Sequence, residues 1–466
     1  MKITAVVASL VAVVCATPQV EIAPRQASGS LPVVSVKGNA FFAGDKRFYV
    51  RGVAYQPGGA ADAADPLVNI PNLKRDVANF NKLGINTIRV YTVDNSVNHD
   101  EGMKMLADAG IYLALDANTP AFSLNRQSNQ TLFQSYNENY LQSLFATIDS
   151  FAKYSNLLLI INGNEVINER NNTIAAPYIK ALQRDMKAYI SARKYRNIPI
   201  GYAAADVAEN VDHQLKYFDC GPDGVRGDFF ALNDYSWCDP NTFIGAGWDK
   251  KVERYKGYGV PLFMAEHGCN TNRRDWNEVA SLYSTNMTSV YSGGLAYEYT
   301  TEANGYGLVS TTNGNVAPNA DFTRLEAAYK KTPNPPGDGG YSATTTASQC
   351  PPASADWEVK NDLIPAMPAL AKKFMTDGAG KGPGLGDNVT PSQYGGKSYS
   401  AGLVEMDGSA ASPSKQGGGT GTSSGATKSS SAGSARNVVI APFMVVFTIP
   451  VFITVGGVLA GMGLLM

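Results

Sequence analysis

The sequence predicts a (β/α)8 barrel. Three observations carry that expectation. Short apolar runs, eight of them, alternate with longer amphipathic stretches between residues 33 and 330. Two of the runs end in a glutamate, and the other run ends are rich in polar and aromatic side chains. A doubly wound open sheet is the runner-up. It wants a glycine-rich turn opening onto a helix after its first strand, and Gln56-Pro57-Gly58-Gly59 is no phosphate-binding fingerprint.

In chain order the predicted strands are Val50–Gln56, Thr87–Val93, Tyr112–Asp116, Leu157–Asn162, Pro199–Ala203, Phe229–Tyr235, Val260–Ala265 and Gly294–Tyr299. Between the first two, Asn72–Leu83 carries apolar residues at 73, 77, 80 and 83, a helical period. Gly102–Ala109, Gln134–Tyr154, Ile174–Lys194 and Asp275–Val290 read likewise. Such alternation buries the strands as a parallel barrel with helices outside. Ahead of it, Val33–Val36 and Phe41–Phe42 predict a β-hairpin covering the barrel's N-terminal face.

Catalytic groups of such barrels sit at the C-terminal ends of strands. Here those ends supply Gln56, Tyr91, Asp94, Asp116, Asn164, Glu165, Asp206, Asn233, Tyr235, Glu266 and Tyr299. Amides, carboxylates and aromatics without cations suit a sugar, which offers hydroxyls and apolar ring faces. Glu165 follows Leu157-Leu158-Leu159-Ile160-Ile161, and Glu266 follows Val260-Pro261-Leu262-Phe263-Met264. A carboxylate closing a buried strand escapes the cost of burial by opening into a cleft. Two of them fit retaining glycoside cleavage, in which carboxyls about 5–5.5 Å apart serve as acid and nucleophile. On this reading Asn164 bonds a sugar 2-hydroxyl, Tyr235 donates to Glu266, and the neighbouring carboxylate raises the pKa of Glu165. His267 reads as a packing residue. The absence of Gly-x-Ser-x-Gly, with only 3 histidines, argues against a Ser-His-Asp hydrolase.

The whole chain adds context. Among its 466 residues, 39 are Lys or Arg and 40 Asp or Glu, a net charge of −1 that implies no nucleic-acid partner. Residues 1–16 read as a secretory signal peptide, and the barrel occupies 17–330. The Pro-, Gly- and Ala-rich segment 331–395, with an amphipathic piece at Leu363–Phe374, reads as an extension packed on the barrel. Gly378–Gly386 lacks Gly-Lys-Ser/Thr and is a loop rather than a phosphate site. Residues 396–437 form a Ser/Gly-rich stalk. The apolar tail 438–466 is expected to be removed as a GPI-attachment signal, the anchor joining between Gly425 and Ser434. A membrane span is the rival, but no Lys/Arg cluster follows it. Cys15 leaves with the signal peptide. Cys220, Cys238, Cys269 and Cys350 remain for two disulfides, with three pairings open. No Cys-x-x-Cys supports zinc, and no cofactor is implied. Asn129, Asn171, Asn286 and Asn388 lie in glycosylation sequons.

At this point the segments become recognisable. Phe48 to Gly59, Thr87-Ile88-Arg89-Val90-Tyr91, Gly163-Asn164-Glu165-Val166, Tyr235-Ser236-Trp237-Cys238, Glu266-His267-Gly268-Cys269 and Gly293 to Tyr299 recur in this order in one family. Over roughly residues 33–390 the chain closely resembles the fungal GPI-anchored β-1,3-glucanosyltransferases, glycoside hydrolase family 72. The resemblance implies internal cleavage of β-1,3-glucan and transfer of the new reducing end to another glucan chain. Glu165 matches the acid/base and Glu266 the nucleophile. Gln56, Tyr91, Asp116, Asn164, Asn233, Tyr235 and Tyr299 match the substrate cleft, and the implied disulfides are Cys220–Cys350 and Cys238–Cys269. A monomer at the outer face of the plasma membrane and in the cell wall is implied, with glucan donor and acceptor as partners. Two departures stand out. A further family disulfide is replaced by Leu73 and Gly102, and the residue after the nucleophile, usually aromatic, is His267. The eight-cysteine carbohydrate-binding module of some members is also missing. The rivals are a hydrolytic endo-β-1,3-glucanase and a non-catalytic wall-glucan binder.

Overall fold

Eight apolar runs this close to one another can satisfy their backbone and bury both faces by pairing in a parallel sheet, either open or closed into a ring. The computed structural model describes residues 31–411, apart from 361, 387 and 388, and shows that ring. The strands are β4 (Val50–Ala54), β5 (Thr87–Val90), β6 (Tyr112–Asp116), β7 (Leu157–Asn164), β8 (Ile200–Ala205), β9 (Phe229–Asp234), β10 (Leu262–His267) and β11 (Tyr291–Ala296). They close in sequence order, and each pairs in parallel with its neighbours. All eight predicted strands are present.

The predicted hairpin gains a third strand: β1 (Val34–Lys37), β2 (Ala40–Ala43) and β3 (Lys46–Phe48) form an antiparallel sheet. Its Phe41 ring lies 5.9 Å from Phe263 and 6.5 Å from Phe229, near the N-terminal ends of β10 and β9. That aromatic plug closes one end of the barrel and leaves the other for chemistry.

Helix α1 (Ile70–Leu83) buries Leu73, Val77, Phe80 and Leu83, the predicted stripe. Asn69 caps its start, and Gly84 ends it with φ 70° in the left-handed region. α2 (Asp100–Asp108) follows. The single helix expected over 134–154 is broken into α3 (Asn129–Ser135) and α4 (Glu138–Phe151), because Asn137 turns extended and accepts the Tyr140 N–H as an N-cap. α5 (Ala176–Ala192), α6 (Val211–Asp219), α7 (Trp248–Tyr255), α8 (Glu278–Leu282) and α9 (Ala320–Lys331) complete the outer ring. The helix expected over 275–290 shrinks to α8. Tyr283 leaves it and donates its hydroxyl to the Val50 carbonyl at 2.8 Å, so tertiary hydrogen bonding overrides the helical period.

Past α9 the chain wraps the barrel. Cys220–Cys350 ties it to the end of α6, Arg170 pairs with Asp356, and Trp357 and Ile364 are fully buried. The amphipathic piece at 363–374 is not one helix. A two-residue strand, a 3-10 turn at Ala369–Ala371 and a turn of helix at Phe374–Asp377 occupy it, since Pro365 and Pro368 cannot continue a helix. Packed structure runs on to Met406, which is buried. The expected signal peptide, the part of the expected stalk beyond 411, the expected anchor region and Asn388 lie outside the described residues; Asn129, Asn171 and Asn286 are exposed.

Candidate active site

At the open end of the barrel, β7 delivers Asn164 and then Glu165. Glu165 adopts φ 48°, in the left-handed region. For a non-glycine residue this costs about 1 kcal/mol. Its N–H still bonds the Ala203 carbonyl at 2.9 Å. The backbone therefore stays tied to β8 while the side chain meets Asn233, whose amide donates to Glu165 Oε1 at 2.7 Å.

The centre of the site is a residue the sequence reading passed over. Arg89, on β5, is fully buried. Its Nε and Nη2 donate to the two oxygens of Asp116 at 2.9 Å each. Nη2 also reaches Asn164 Oδ1 at 2.9 Å, and Nη1 reaches Glu266 Oε1 at 3.0 Å. One guanidinium thus fixes groups from β6, β7 and β10 (the planar fork matches a carboxylate on one edge and spreads its other donors). The signal available was an arginine inside an apolar run, since a buried cation demands partners. Because Oδ1 of Asn164 also accepts from Asn233 Nδ2 at 3.1 Å, its own amide N–H donors are left for a ligand.

Glu266 is held by three donors. Besides Arg89, the Tyr91 hydroxyl donates to Oε1 at 2.8 Å and the Tyr235 hydroxyl to Oε2 at 2.7 Å. Burial pushes its carboxyl up to about 7, against the pull of Arg89, and the Glu165 charge adds to the rise while the two phenols oppose it. Burial is the leading cause of that rise, because Glu266 lies on a strand whose residues are all buried.

Tyr91, Asp116 and Asn164 line a cavity of about 280 Å³ together with Pro120 and Ser123. On another side, Tyr235, Tyr297 and Tyr306 form an aromatic group with ring centroids 5.3–6.3 Å apart. Tyr297 and Tyr306 were not singled out in the sequence, although Tyr297 lies in the last predicted strand. Tyr299 is not brought to the mouth. Its hydroxyl bonds Asp76 and Asn79 of α1 at 3.0 and 2.9 Å, and its ring packs on Phe80 and Tyr55. β11 ends at Ala296, before both tyrosines, so strand alternation does not return Tyr299 to the barrel interior. Gln56 is buried with its amide engaged, accepting from the Tyr91 and Thr92 N–H groups at 3.2 Å and donating to the Ala64 carbonyl at 2.7 Å. It positions Tyr91. Asp206 pairs with Lys251, and Asp94 accepts from Ser96. His267 points away from Glu266, with Nδ1 3.4 Å from Glu278, as a packing residue would. The mouth is fastened by the disulfide Cys238–Cys269, and both observed pairings are those the resemblance implied.

Comparison with known proteins bears on this geometry. The family model for glucanosyltransferases, glycoside hydrolase family 72, matches residues 24–333. The chain is 55% identical over 389 residues to 1,3-beta-glucanosyltransferase gel1 of Aspergillus fumigatus, covering 83% of this chain and 84% of that protein. It is 48% identical to 1,3-beta-glucanosyltransferase GAS5 of Saccharomyces cerevisiae, covering 78% and 76%. A mutant of Saccharomyces cerevisiae Gas2p solved with laminaritetraose and laminaripentaose superimposes with a TM-score of 0.67 at 34% identity, covering 73% of this chain and 76% of that one. With the family matched along the whole barrel and a relative more than half identical over most of its length, this chain belongs to the glucanosyltransferases of glycoside hydrolase family 72.

Proposed function

We propose that this protein is a retaining β-1,3-glucanosyltransferase that elongates fungal cell-wall glucan. One observation carries the assignment of roles: Arg89, Tyr91 and Tyr235 all donate to the Glu266 carboxylate, whereas among the described residues Asn233 alone donates to the Glu165 carboxylate. A carboxylate gripped by three donors is oriented as a nucleophile must be, and those donors favour its ionised form against the rise that burial imposes. The less constrained Glu165 is free to carry a proton in and out. In the first step Glu165 protonates the scissile glycosidic oxygen while Glu266 attacks the anomeric carbon. The bond to the departing chain breaks, leaving a glycosyl ester on Glu266. In the second step a hydroxyl at the non-reducing end of another chain loses its proton to Glu165 and attacks that carbon, freeing Glu266. Transfer prevails over hydrolysis when this acceptor outcompetes water, and the tyrosines at 235, 297 and 306 offer ring faces for the purpose.

The apolar N-terminus, the sequons and the small-residue stretch before an apolar tail support secretion and a GPI anchor at the cell surface or wall. The test of function is a product profile on a reduced, end-labelled β-1,3-gluco-oligosaccharide. Products longer than the starting chain are expected, and solely shorter ones would establish hydrolysis. Glu266→Gln should abolish both. Glu165→Gln should lower kcat by about 10²–10⁴ on ordinary glucan and much less on a donor whose leaving group needs no proton.

A further inference from the structure

The C-terminal wrap makes a second concave surface that the two-glutamate mechanism leaves unused. Beside the Phe122 end of the loop after β6 lies an open pocket of about 820 Å³, within the ordinary size range of ligand sites. Its lining includes Asn139 and Gln142 of α4 and Tyr394 and Lys397 of the wrap. Tyr394 is 78% exposed, and among the described residues its ring meets no other aromatic and its hydroxyl makes no hydrogen bond to protein. Asn139 makes no side-chain hydrogen bond there either, and Gln142 uses only its amide nitrogen, on the Ala379 carbonyl at 3.1 Å. Among the described residues the pocket lining is amide, hydroxyl, apolar and aromatic groups with one lysine, a set that suits binding. An exposed aromatic sharing a pocket with amides that keep hydrogen-bonding atoms unused is the composition that recognises a neutral, hydroxyl-rich chain.

The pocket is joined to the active-site cleft. Gln393, next to Tyr394, donates to the Pro120 carbonyl at 3.0 Å and to the Ser123 hydroxyl, and the Ser392 N–H bonds the Ala121 carbonyl at 2.9 Å. Pro120 and Ser123 also line the cleft beside Asp116 and Asn164. A single loop, 119–124, therefore separates the two.

We propose that this pocket is a remote subsite for the same β-1,3-glucan, with Tyr394 as its stacking platform. It takes the part of a long chain that runs out of the cleft across loop 119–124. The proposal rests on the glucan reading given above. It makes the enzyme selective for long chains without touching the reacting bond.

The test uses the full-length protein and its Tyr394→Ala and Asn139→Ala variants, with a short β-1,3-gluco-oligosaccharide that fills the cleft and a long soluble β-1,3-glucan. For Tyr394→Ala, KM for the long chain should rise about two- to tenfold, the range an aromatic contact supplies, with kcat unchanged and the short substrate unaffected. Asn139→Ala should move KM in the same direction. Equal changes for both substrates, or none, would overturn the subsite. Calorimetric titration of the E266Q form with long glucan reads the pocket without turnover, and Tyr394→Ala in that background should weaken binding by the same factor. If the wild type acts on neither substrate while that titration behaves as expected, the glucanosyltransferase reading fails and the subsite stands.

Discussion

At the scale of single residues, Arg89 and Glu266 decide the site together. Burial raises the Glu266 carboxyl, and the surrounding donors hold it down. The nucleophile must be ionised, so activity falls as pH drops through this group's pKa. Removing a donor raises that pKa and moves the acid limb of kcat/KM to higher pH. Tyr235→Phe should move it by about one pH unit, the equivalent of one hydrogen bond to a charged group. An unmoved limb with a merely lower kcat would show that Tyr235 does not control ionisation. Arg89→Met should be far harsher. It leaves Asp116 and the Glu266 carboxylate buried without their cation, a loss of about 3–5 kcal/mol in stability, measurable by denaturant unfolding. The sequence showed the two glutamates because each breaks an apolar run. It hid Arg89 because partners from β6, β7 and β10 meet it only when the barrel closes.

The elements carry their own strains and repairs. Leu73 on α1 and Gly102 on α2 face each other. A methyl carbon built on Gly102 would lie 3.3 Å from Leu73 Cδ2 and 2.1 Å from the Leu67 carbonyl oxygen. Close packing joins the two helices here. Leu73→Ala should cost about 2–5 kcal/mol, and Gly102→Ala about 1–3 kcal/mol because the Leu67 backbone must shift. Near-zero effects in both would mean that this junction does not support the fold.

Between α5 and α6 a different device operates. Lys180 is buried, and its ammonium caps the end of α6 by donating to the Tyr217 carbonyl and, at 2.7 Å, to the Cys220 carbonyl. Burial is the main cause that lowers its pKa to about 7, with Asp219 opposing. The unfolded chain holds that proton up to about 10.4. Between those values it binds more protons than the folded one, so this group adds stability as pH rises from about 7 to 10. In Lys180→Met, stability plotted against pH should lose that rising component.

On the scale of the whole molecule, the barrel and the wrap are one structure. The family match ends at residue 333, yet Trp357, Leu363, Ile364 and Ala371 beyond it are buried. The backbone N–H groups of Lys397 and Ser398 bond the Glu138 carboxylate at the start of α4 at 2.6 and 2.7 Å. A chain stopped after residue 332 should therefore expose that apolar surface and be recovered as aggregated or protease-sensitive protein. A soluble, cooperatively melting barrel from such a truncation would show that the wrap is dispensable. Removing Cys220–Cys350 from the full chain should cost about 4–5 kcal/mol, since it closes a separation of 130 residues.

The sequence by itself determined the barrel, because burying eight apolar runs while pairing every backbone group leaves few closed arrangements, and each predicted strand appears in its place. It also determined the two glutamates, because an ionisable group ending a core strand has few other reasons to be there. Only the tertiary structure decided the rest. Arg89 became the organiser and Gln56 a brace for Tyr91. Tyr299 turned to α1 while Tyr297 joined the aromatic mouth, and burial raised the Glu266 carboxyl. These outcomes depend on the depth of each group and on which partners arrive from distant strands. Periodicity along the chain records which side of a strand a residue occupies, and it holds no information about what lies opposite once the ring has closed.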